Sequence, residues 1–168
     1  MSKFDLSLPA FRLSLLAICF ISGLPVTAAG QQGYYRAPAL HQDQLVFTAE
    51  GDLWLQQLGT TTPAQRLTTH PAEELNAQWS KDGQWLAYQA NYDGITEVYV
   101  LHKDGGLPKR VSFEYSRVKV QGWTQDGRVL YSTDHQAGPA NRWLLKTVDP
   151  LTLHNKTLPL ADAVEGVM

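Results

Sequence analysis

Cysteine is almost absent from this chain of 168 residues, because the only one is Cys19, inside an apolar segment near the N-terminus. Downstream of that segment no thiol remains to form a disulfide or to act as a nucleophile. Charged residues make up only 18% of the chain, and the formal net charge is −2. A near-neutral chain has no electrostatic footprint for a phosphate backbone, so we expect no nucleic-acid partner.

Beyond the first 30 residues the sequence also lacks a long apolar run and any sustained helical periodicity. What it has instead is five tryptophans and seven tyrosines, together with many valines, leucines and threonines. Aromatic and β-branched residues fit the pleated, half-buried surface of a sheet better than a helix. The composition therefore predicts an all-β fold.

The N-terminal residues have a different character. Lysine and arginine precede the apolar run 13–21, and small residues follow at 26–30. This order is typical of a secretory signal, and the run is too short for a stable membrane span. We predict a helical signal peptide over residues 1–29, cleavage after Ala28 or Ala29, and export to the periplasm or the extracellular space, with no membrane attachment afterwards. An uncleaved anchor is the alternative.

A short pattern recurs along the rest of the chain. Three pairs of equivalent residues are each separated by 44 positions: Trp79 and Trp123, Gly83 and Gly127, Arg66 and Arg110. A repeat of about 40–45 residues made of short strand-like pieces is typical of β-propeller blades. A blade cannot bury both of its faces alone, so successive blades must stack.

The repeat predicts an incomplete β-propeller of about three four-stranded blades. We place a partial propeller domain at 34–168, and the blades at about 36–69, 76–113 and 118–160. Asp-Gly turns connect neighbouring strands, since glycine adopts positive φ without steric cost. In blade two the expected strands are 77–79, 85–90, 97–102 and 109–112.

Three blades cannot close a ring, and the chain ends where a fourth inner strand should begin. We therefore expect the outward faces of the first and third blades to expose apolar residues, and to drive self-association. The candidates in the third blade are Leu130, Trp143 and Leu145.

Several stretches carry a resemblance to a known family. The repeat unit W-S-K-D-G-Q-W-L-A-Y, which starts at Trp79, is similar to the repeats of TolB-type propellers and Tricorn-type proteases. The opening stretch narrows the choice, since residues 34–41, 46–54 and 66–71 read Y-Y-R-A-P-A-L-H, V-F-T-A-E-G-D-L-W and R-L-T-T-H-P. They closely resemble the start of Tricorn protease homologues. The resemblance covers almost all of residues 34–166.

The resemblance implies the N-terminal part of a six-bladed propeller, followed in the family by a second propeller, a PDZ domain and a serine-peptidase region. The family's catalytic residues lie in those later parts, and no position of this chain matches their motifs. The prediction is therefore a fragment or truncated homologue of an exported serine peptidase (a hydrolase) with no catalytic residue of its own.

Its implied role is to guide or gate peptides or unfolded polypeptide on their way to the catalytic domains. The implied partners are those peptides, the remaining propeller, PDZ and peptidase domains, and further copies of the chain. The alternative is a TolB-like propeller module that binds a protein partner and serves no enzyme. A decayed reading frame without function is a third possibility.

When the residues are considered without the resemblance, no side chain lies in a recognisable catalytic motif. The histidines are outside any zinc-binding spacing, and the serines are outside any nucleophile motif. These residues are His41, His70, His102, His135 and His154, and Ser80, Ser112, Ser116 and Ser132. We predict no catalytic, cofactor-binding or metal-binding residue, and a turn role for His70.

Three further groups are interpreted as structural. Asp82, Asp93 and Asp126 lie in Asp-Gly turns, where an aspartate bonds its own backbone two residues on, so we expect no calcium site and no cofactor. The adjacent Glu73 and Glu74 are interpreted as a solvated loop. Trp79 and Trp123, at equivalent inner-strand positions, are expected in the core between blades rather than as stacking platforms for a ligand.

Overall fold

The computed structural model describes residues 34–136, 142–160 and 162. The predicted signal peptide, Cys19 and most of the loop 135–140 lie outside these residues. Within them the chain forms twelve strands and no helix, which confirms the all-β prediction. In the same described part, no helix is long and apolar enough to cross a bilayer.

The strands form three sheets of four. Blade one consists of β1 Arg36–His41, β2 Gln44–Ala49, β3 Asp52–Gln57 and β4 Gln65–Arg66. Blade two consists of β5 Glu74–Trp79, β6 Trp85–Ala90, β7 Glu97–His102 and β8 Lys109–Arg110. Blade three consists of β9 Val118–Trp123, β10 Val129–Thr133, β11 Leu144–Val148 and β12 Asn155–Thr157.

In every sheet the strand order follows the chain order, and all neighbours are antiparallel. This simple up-and-down sheet is the unit of a propeller, so the structure agrees with the predicted incomplete propeller. The division into a signal peptide and a domain at 34–168 remains a prediction.

The first strand of each blade is irregular. β1 and β5 shift register against their neighbours at a bulge, and the bulges hold Ala37 at φ 46° and Asn76 at φ 54°. A bulge bends its strand and increases the local twist. On an edge strand it also interrupts the row of unpaired backbone groups that would otherwise pair with another chain.

Blade two is packed on both of its faces. On β6, Leu86 and Tyr88 lie in the apolar core shared with blade one, whereas Ala87 lies in the core shared with blade three. We call the contact between blades one and two the first junction, and that between blades two and three the second junction. A central blade buried on both faces explains why its strands are near-continuous apolar runs.

The repeat is not strictly 44 residues long. The turn after β5 closes with a hydrogen bond from Ser80 N to Trp85 O (2.8 Å), and the turn after β9 closes from Thr124 N to Arg128 O (2.8 Å). The second turn is one residue shorter. The structural counterpart of Tyr88 is therefore Tyr131, and both rings are fully buried.

The structure corrects the prediction that Leu130, Trp143 and Leu145 form an exposed apolar surface on blade three. Leu130 and Leu145 are only 1% and 4% exposed, so neither side chain offers an apolar surface to a neighbouring blade. Trp143 is half-buried under the guanidinium of Arg117, whose Cζ lies 5.2 Å from the ring centroid.

Candidate functional site

In the described part of the chain, each of the four seryl hydroxyls takes part in a structural hydrogen bond. Ser80 Oγ donates to Asp82 Oδ1 (2.6 Å) and accepts from Trp85 N (2.9 Å). Ser112 Oγ donates to Glu97 and Ser116 Oγ donates to Asp134. A nucleophilic serine needs a base at its hydroxyl, and in these contacts the acceptor is a carboxylate that also fixes a turn or a strand. That this chain has no catalytic residue remains a prediction.

The histidines are scattered over the fold. His70 Nδ1 accepts a hydrogen bond from Ala72 N (3.0 Å), and the ring lies 4.2 Å from that of Tyr92, so His70 holds a turn as expected. His102 Nδ1 accepts from Asp104 N (3.3 Å). His41 packs against Trp79, with ring centroids 5.8 Å apart.

The turn aspartates stay apart. Asp82 Oδ1 accepts from Gln84 N, two residues on, at 3.1 Å, and its hydrogen bond from Ser80 lowers its pKa below the ordinary value of 3.8. Asp126 accepts from Thr124, and Asp93 faces Arg110 at 3.5 Å. Over the described residues, no three histidine, cysteine, aspartate or glutamate side chains converge as metal ligands.

Trp79 and Trp123 lie at the junctions between blades, as predicted. Trp79 Nε1 donates to Ala39 O of blade one (3.1 Å), and Trp123 Nε1 donates to Gln78 O of blade two (2.9 Å). Each ring packs against the apolar core of its junction. A tryptophan at the equivalent position of blades two and three therefore links the first strand of its blade to the first strand of the preceding blade.

The interpretation of Glu74 as a solvated loop residue is wrong. β5 begins at Glu74, three residues earlier than expected, and this places the carboxylate in the first junction at 0% exposure. It accepts hydrogen bonds from Leu53 N (3.2 Å), Thr68 Oγ1 and Tyr92 OH (2.6 Å). Burial raises the pKa of Glu74 above its ordinary value of 4.5. Glu73 points away and pairs with Arg36 at the surface.

The second junction has two buried carboxylates that face cations. Glu97 Oε1 accepts from Arg110 Nη2 (2.8 Å). Glu114 Oε2 accepts from Lys146 Nζ (2.8 Å), and its Oε1 accepts from Tyr131 OH (2.6 Å). These ion pairs were missed in the sequence, because Glu114 and Lys146 are 32 positions apart and nothing local links them.

A groove lies between blades two and three, and we call it the inter-blade groove. Its volume is about 980 Å³, within the range of about 300–1,000 Å³ typical of ligand pockets. The turn after the first strand and the turn after the third strand of both blades surround it. The lining is mainly apolar, with Trp85, Val100, Leu107, Trp123, Pro150 and Leu151.

Three of these apolar side chains are open to solvent. Leu107 is 96% exposed, Leu151 is 84% exposed and Trp85 is 43% exposed. The Trp85 ring makes an edge-on contact with the ring of His102, with centroids 5.1 Å apart. No sequence signal marked this site. Leu107 and Leu151 are 44 positions apart, but they are not equivalent in the fold, because Tyr99 and Lys146, which pair with the equivalent Tyr88 and Tyr131, are 47 positions apart.

The groove has a polar rim. Lys81, Asp82, Gln125 and Asp126 come from the two first turns. On the other side, Lys109 Nζ donates to Pro150 O (2.6 Å) and Leu151 O (3.4 Å), so this ammonium joins blade two to the outer turn of blade three. The arrangement suits the binding of an apolar group with a polar flank, and the hydroxyl of Ser80, which also lines the groove, is hydrogen-bonded to Asp82 and Trp85 N.

Comparison with known proteins identifies the family of the chain and finds the same fold in solved structures. The family of the Tricorn protease N-terminal β-propeller domain matches residues 32–168. Tricorn protease homolog 1 of Streptomyces coelicolor is 38% identical over 120 residues, which is 70% of this chain and 11% of that protein. The chain thus spans about a tenth of the length of this curated relative.

Solved structures resemble the chain in fold. The crystal structure of the tricorn protease superposes with a TM-score of 0.61 at 21% identity, over 70% of this chain and 12% of that one. A putative TolB from Agrobacterium tumefaciens superposes with a TM-score of 0.66 at 20% identity, over 78% of this chain and 48% of that one.

Proposed function

The chain belongs to the Tricorn protease N-terminal β-propeller family, and from this premise we propose that it is a non-catalytic propeller module of an exported serine peptidase. In this role it binds peptides or unfolded polypeptide and guides them towards catalytic domains that lie outside its three blades. The observation that supports this proposal most directly is the inter-blade groove, which is open and mainly apolar.

Export is supported by the sequence of residues 1–29, with its basic start, short apolar run and small-residue end. Oxidising conditions outside the cytoplasm are compatible with the described fold, because strand pairing and apolar cores stabilise it and its residues include no thiol.

The outward face of blade one supports association with a further sheet. Tyr35 is 62% exposed and Leu40 is 60% exposed. Tyr35 contacts the half-buried Phe47 edge-on, with centroids 5.2 Å apart, and Phe47 pairs across the sheet with Trp54. We call Tyr35, Leu40, Phe47 and Trp54 the free face. An apolar sheet face of this kind suits another blade of the same ring or a second copy of the chain.

The test uses the purified full chain and casein, which is an unstructured polypeptide. We expect immobilised chain to retain casein and to leave it intact over hours. Fluorogenic peptides should likewise stay uncleaved. Hydrolysis that a serine-directed reagent abolishes would show that the module is catalytic, and failure to retain casein would remove the guiding role.

A TolB-like module that binds one folded protein partner is the alternative. It shares the fold, so the structural likeness to TolB does not separate the two functions. The casein experiment does, because a module built for a single folded partner has no reason to retain an unstructured chain.

A further inference from the structure

We propose that residues 163–168 cover the face of blade three that points away from blade two, as the first strand of a following blade. We call this face the outer face. The segment itself lies outside the described residues. Two observations point to it: the burial of leucines that no described sheet covers, and the spacing of the connections between blades.

The side chains of β10 and β11 define the outer face. Val129 and Tyr131 lie in the core shared with blade two, so Leu130, which stands between them on the strand, points to the outer face. Val148 lies in the same core, so Leu145, three residues earlier, also points to the outer face. Both leucines are nearly inaccessible to solvent, at 1% and 4% exposure.

None of the described sheets explains this burial. Of the two other sheets, only blade two packs on blade three, and its contact is on the opposite face. No described sheet packs on the free face of blade one, where Leu40 is 60% exposed and Phe47 is only half-buried. The cover of Leu130 and Leu145 is therefore supplied by residues outside the described part of the chain.

The connections between blades identify which residues these are. After the outer strand, a backbone amide donates to a carbonyl on the third strand of its own blade (2.8 Å), and this amide belongs to Leu67 in blade one and to Val111 in blade two. The first strand of the next blade begins seven residues later in both cases, with β5 at Glu74 and β9 at Val118.

Blade three repeats this connection. The amide of Leu158 donates to a carbonyl of β11 (2.8 Å), so the same spacing places the start of a further first strand at Glu165. The chain returns to the correct end of the sheet, because Trp143 N, directly before β11, donates to Asp162 Oδ1 (2.9 Å). Residues 163–168 therefore begin next to the first residue of β11.

The position of first strands in this fold brings the segment over the two leucines. β5 lies against β1, β2 and β3, and β9 lies against β5, β6 and β7. A segment in the same register lies against β9, β10 and β11, of which the last two carry Leu130 and Leu145. Six extended residues span about 20 Å, which exceeds the roughly 17 Å of a five-residue strand such as β11. Val164, Val167 and Met168 supply apolar side chains.

A covered outer face limits how copies of the chain associate. Blade one of a second copy cannot pack on blade three of the first, so open-ended head-to-tail assembly is prevented. Association through the free face then stops at a dimer, because both copies use the same patch.

The first experiment is hydroxyl-radical footprinting of the full chain, in which mass spectrometry measures how fast each leucine side chain is modified. Leu130 and Leu145 should be modified as slowly as Leu86, a core leucine of blade two at 0% exposure. They should be modified severalfold more slowly than the exposed Leu40.

A double variant removes the cover. Val167→Asp with Met168→Asp puts charges into an apolar contact, and burying an unpaired charge is costly. The segment should therefore detach, and the modification of Leu130 and Leu145 should rise severalfold.

Two controls accompany this variant. Leu86 should stay slowly modified in it, which reports that the blades remain folded. The matched control, Leu107→Asp with Leu151→Asp, adds the same charges at apolar residues that are 96% and 84% exposed, and it should leave the leucines of the outer face protected.

Photo-crosslinking makes the test independent of the variant. Met1 and Met168 are the two methionines of the chain, so photo-methionine places a crosslinker at position 168 and leaves the three blades unchanged. We expect crosslinks from position 168 to β9, β10 or β11 of the same chain.

Leu130 and Leu145 of the wild-type chain reacting as fast as Leu40 would overturn the proposal, since the outer face would then be open. Protection that persists in the double aspartate variant would assign the cover to other residues, and protection lost on dilution to the monomer would assign it to a second copy. Either result would overturn the proposal, as would crosslinks from position 168 to blade one or blade two.

Discussion

The two junctions of this chain share their tryptophan and tyrosine hydrogen bonds and differ in the charged groups around their buried carboxylates. In both, a tryptophan of one blade donates its indole N–H to a backbone carbonyl of the preceding blade, at 3.1 Å in the first junction and 2.9 Å in the second. In both, a buried glutamate accepts a hydrogen bond from a tyrosine hydroxyl at 2.6 Å: Glu74 from Tyr92 in the turn after β6, and Glu114 from Tyr131 on β10.

The difference lies in what else these carboxylates meet. Glu74 in the first junction receives only neutral donors, whereas Glu114 in the second junction faces Lys146. A buried carboxylate paired with an arginine occurs at both, as Asp52 with Arg66 and as Glu97 with Arg110. A second difference is in the turns, since Gly83 packs under the His41 ring of blade one and Gly127 has open space around it. Repeated units thus conserve their apolar geometry while the polar groups between them vary, and the predictions below depend on that variation.

The largest expected effect is at the turn glycine of the first junction. Gly83 has φ +66°, and a Cβ added there would fall on the His41 imidazole. Gly83→Val adds a left-handed strain of about 1–3 kcal/mol to an overpacking cost of about 1–3 kcal/mol, so we expect loss of soluble, folded chain.

The matched variant is Gly127→Val. Its φ is +80°, but no atom lies within 4 Å of the added Cβ, so it should carry the strain alone and stay folded. Urea unfolding of both variants checks this difference. Equal stability of the two would show that the His41 contact does not matter.

The second effect concerns the ion pairs of the second junction. Glu114→Gln leaves the ammonium of Lys146, which is only 9% exposed, without its carboxylate. Breaking a buried pair in this way costs about 3 kcal/mol or more, because an uncompensated charge stays buried. Glu74→Gln should cost about 1 kcal/mol, since the amide oxygen can replace Oε2 as the acceptor for Leu53 N and Thr68 Oγ1, and the amide NH2 can donate to the Tyr92 hydroxyl in place of the present bond. Midpoints of urea unfolding give both values, and a larger loss for Glu74→Gln would reverse the comparison.

The smallest effect is a pH dependence specific to the first junction. The pKa of Glu74 is raised by burial above 4.5, so between 4.5 and that raised pKa the folded chain binds more protons than the unfolded chain. The free energy of unfolding should therefore fall as pH rises through this window, with a slope of at most about 1.4 kcal/mol per pH unit for one proton.

Glu74→Gln isolates that slope, because the difference between its profile and that of the wild-type chain cancels the other groups. Asp82, Asp134 and Asp149 have pKa values held below 3.8 by hydrogen bonds, so they act in the opposite direction and at lower pH, where stability is lost as they are protonated. Parallel profiles of wild type and variant above pH 4.5 would contradict the assignment.

The fold was largely predictable from sequence, because its signals are local. Asp-Gly turns such as the one at Gly83 predicted the blade count. The recurring Trp79 and Trp123 predicted the contacts between blades. The one-residue difference between the turns after β5 and β9 was not visible in the spacing of the glycines, since it falls after them. The early start of β5 at Glu74 was missed because a charged residue at a strand end looks like a loop residue until its buried donors are known.

The site was less predictable, for a related reason. Leu107 and Leu151 form one groove only when two blades are stacked, and each alone looks like an ordinary exposed leucine. Likewise, the pairing of Glu114 with Lys146 depends on the packing of blade three and has no local pattern.

The central claim is that the three sheets are successive blades of an open ring, whose free face on blade one is made to meet another sheet. Size-exclusion chromatography with light scattering on the purified chain at micromolar concentration tests it most directly. We predict a mass greater than that of one chain, and a return to the monomer when Tyr35 and Leu40 of the free face, 62% and 60% exposed, are both replaced by lysine. A well-dispersed wild-type monomer at every concentration would contradict the account.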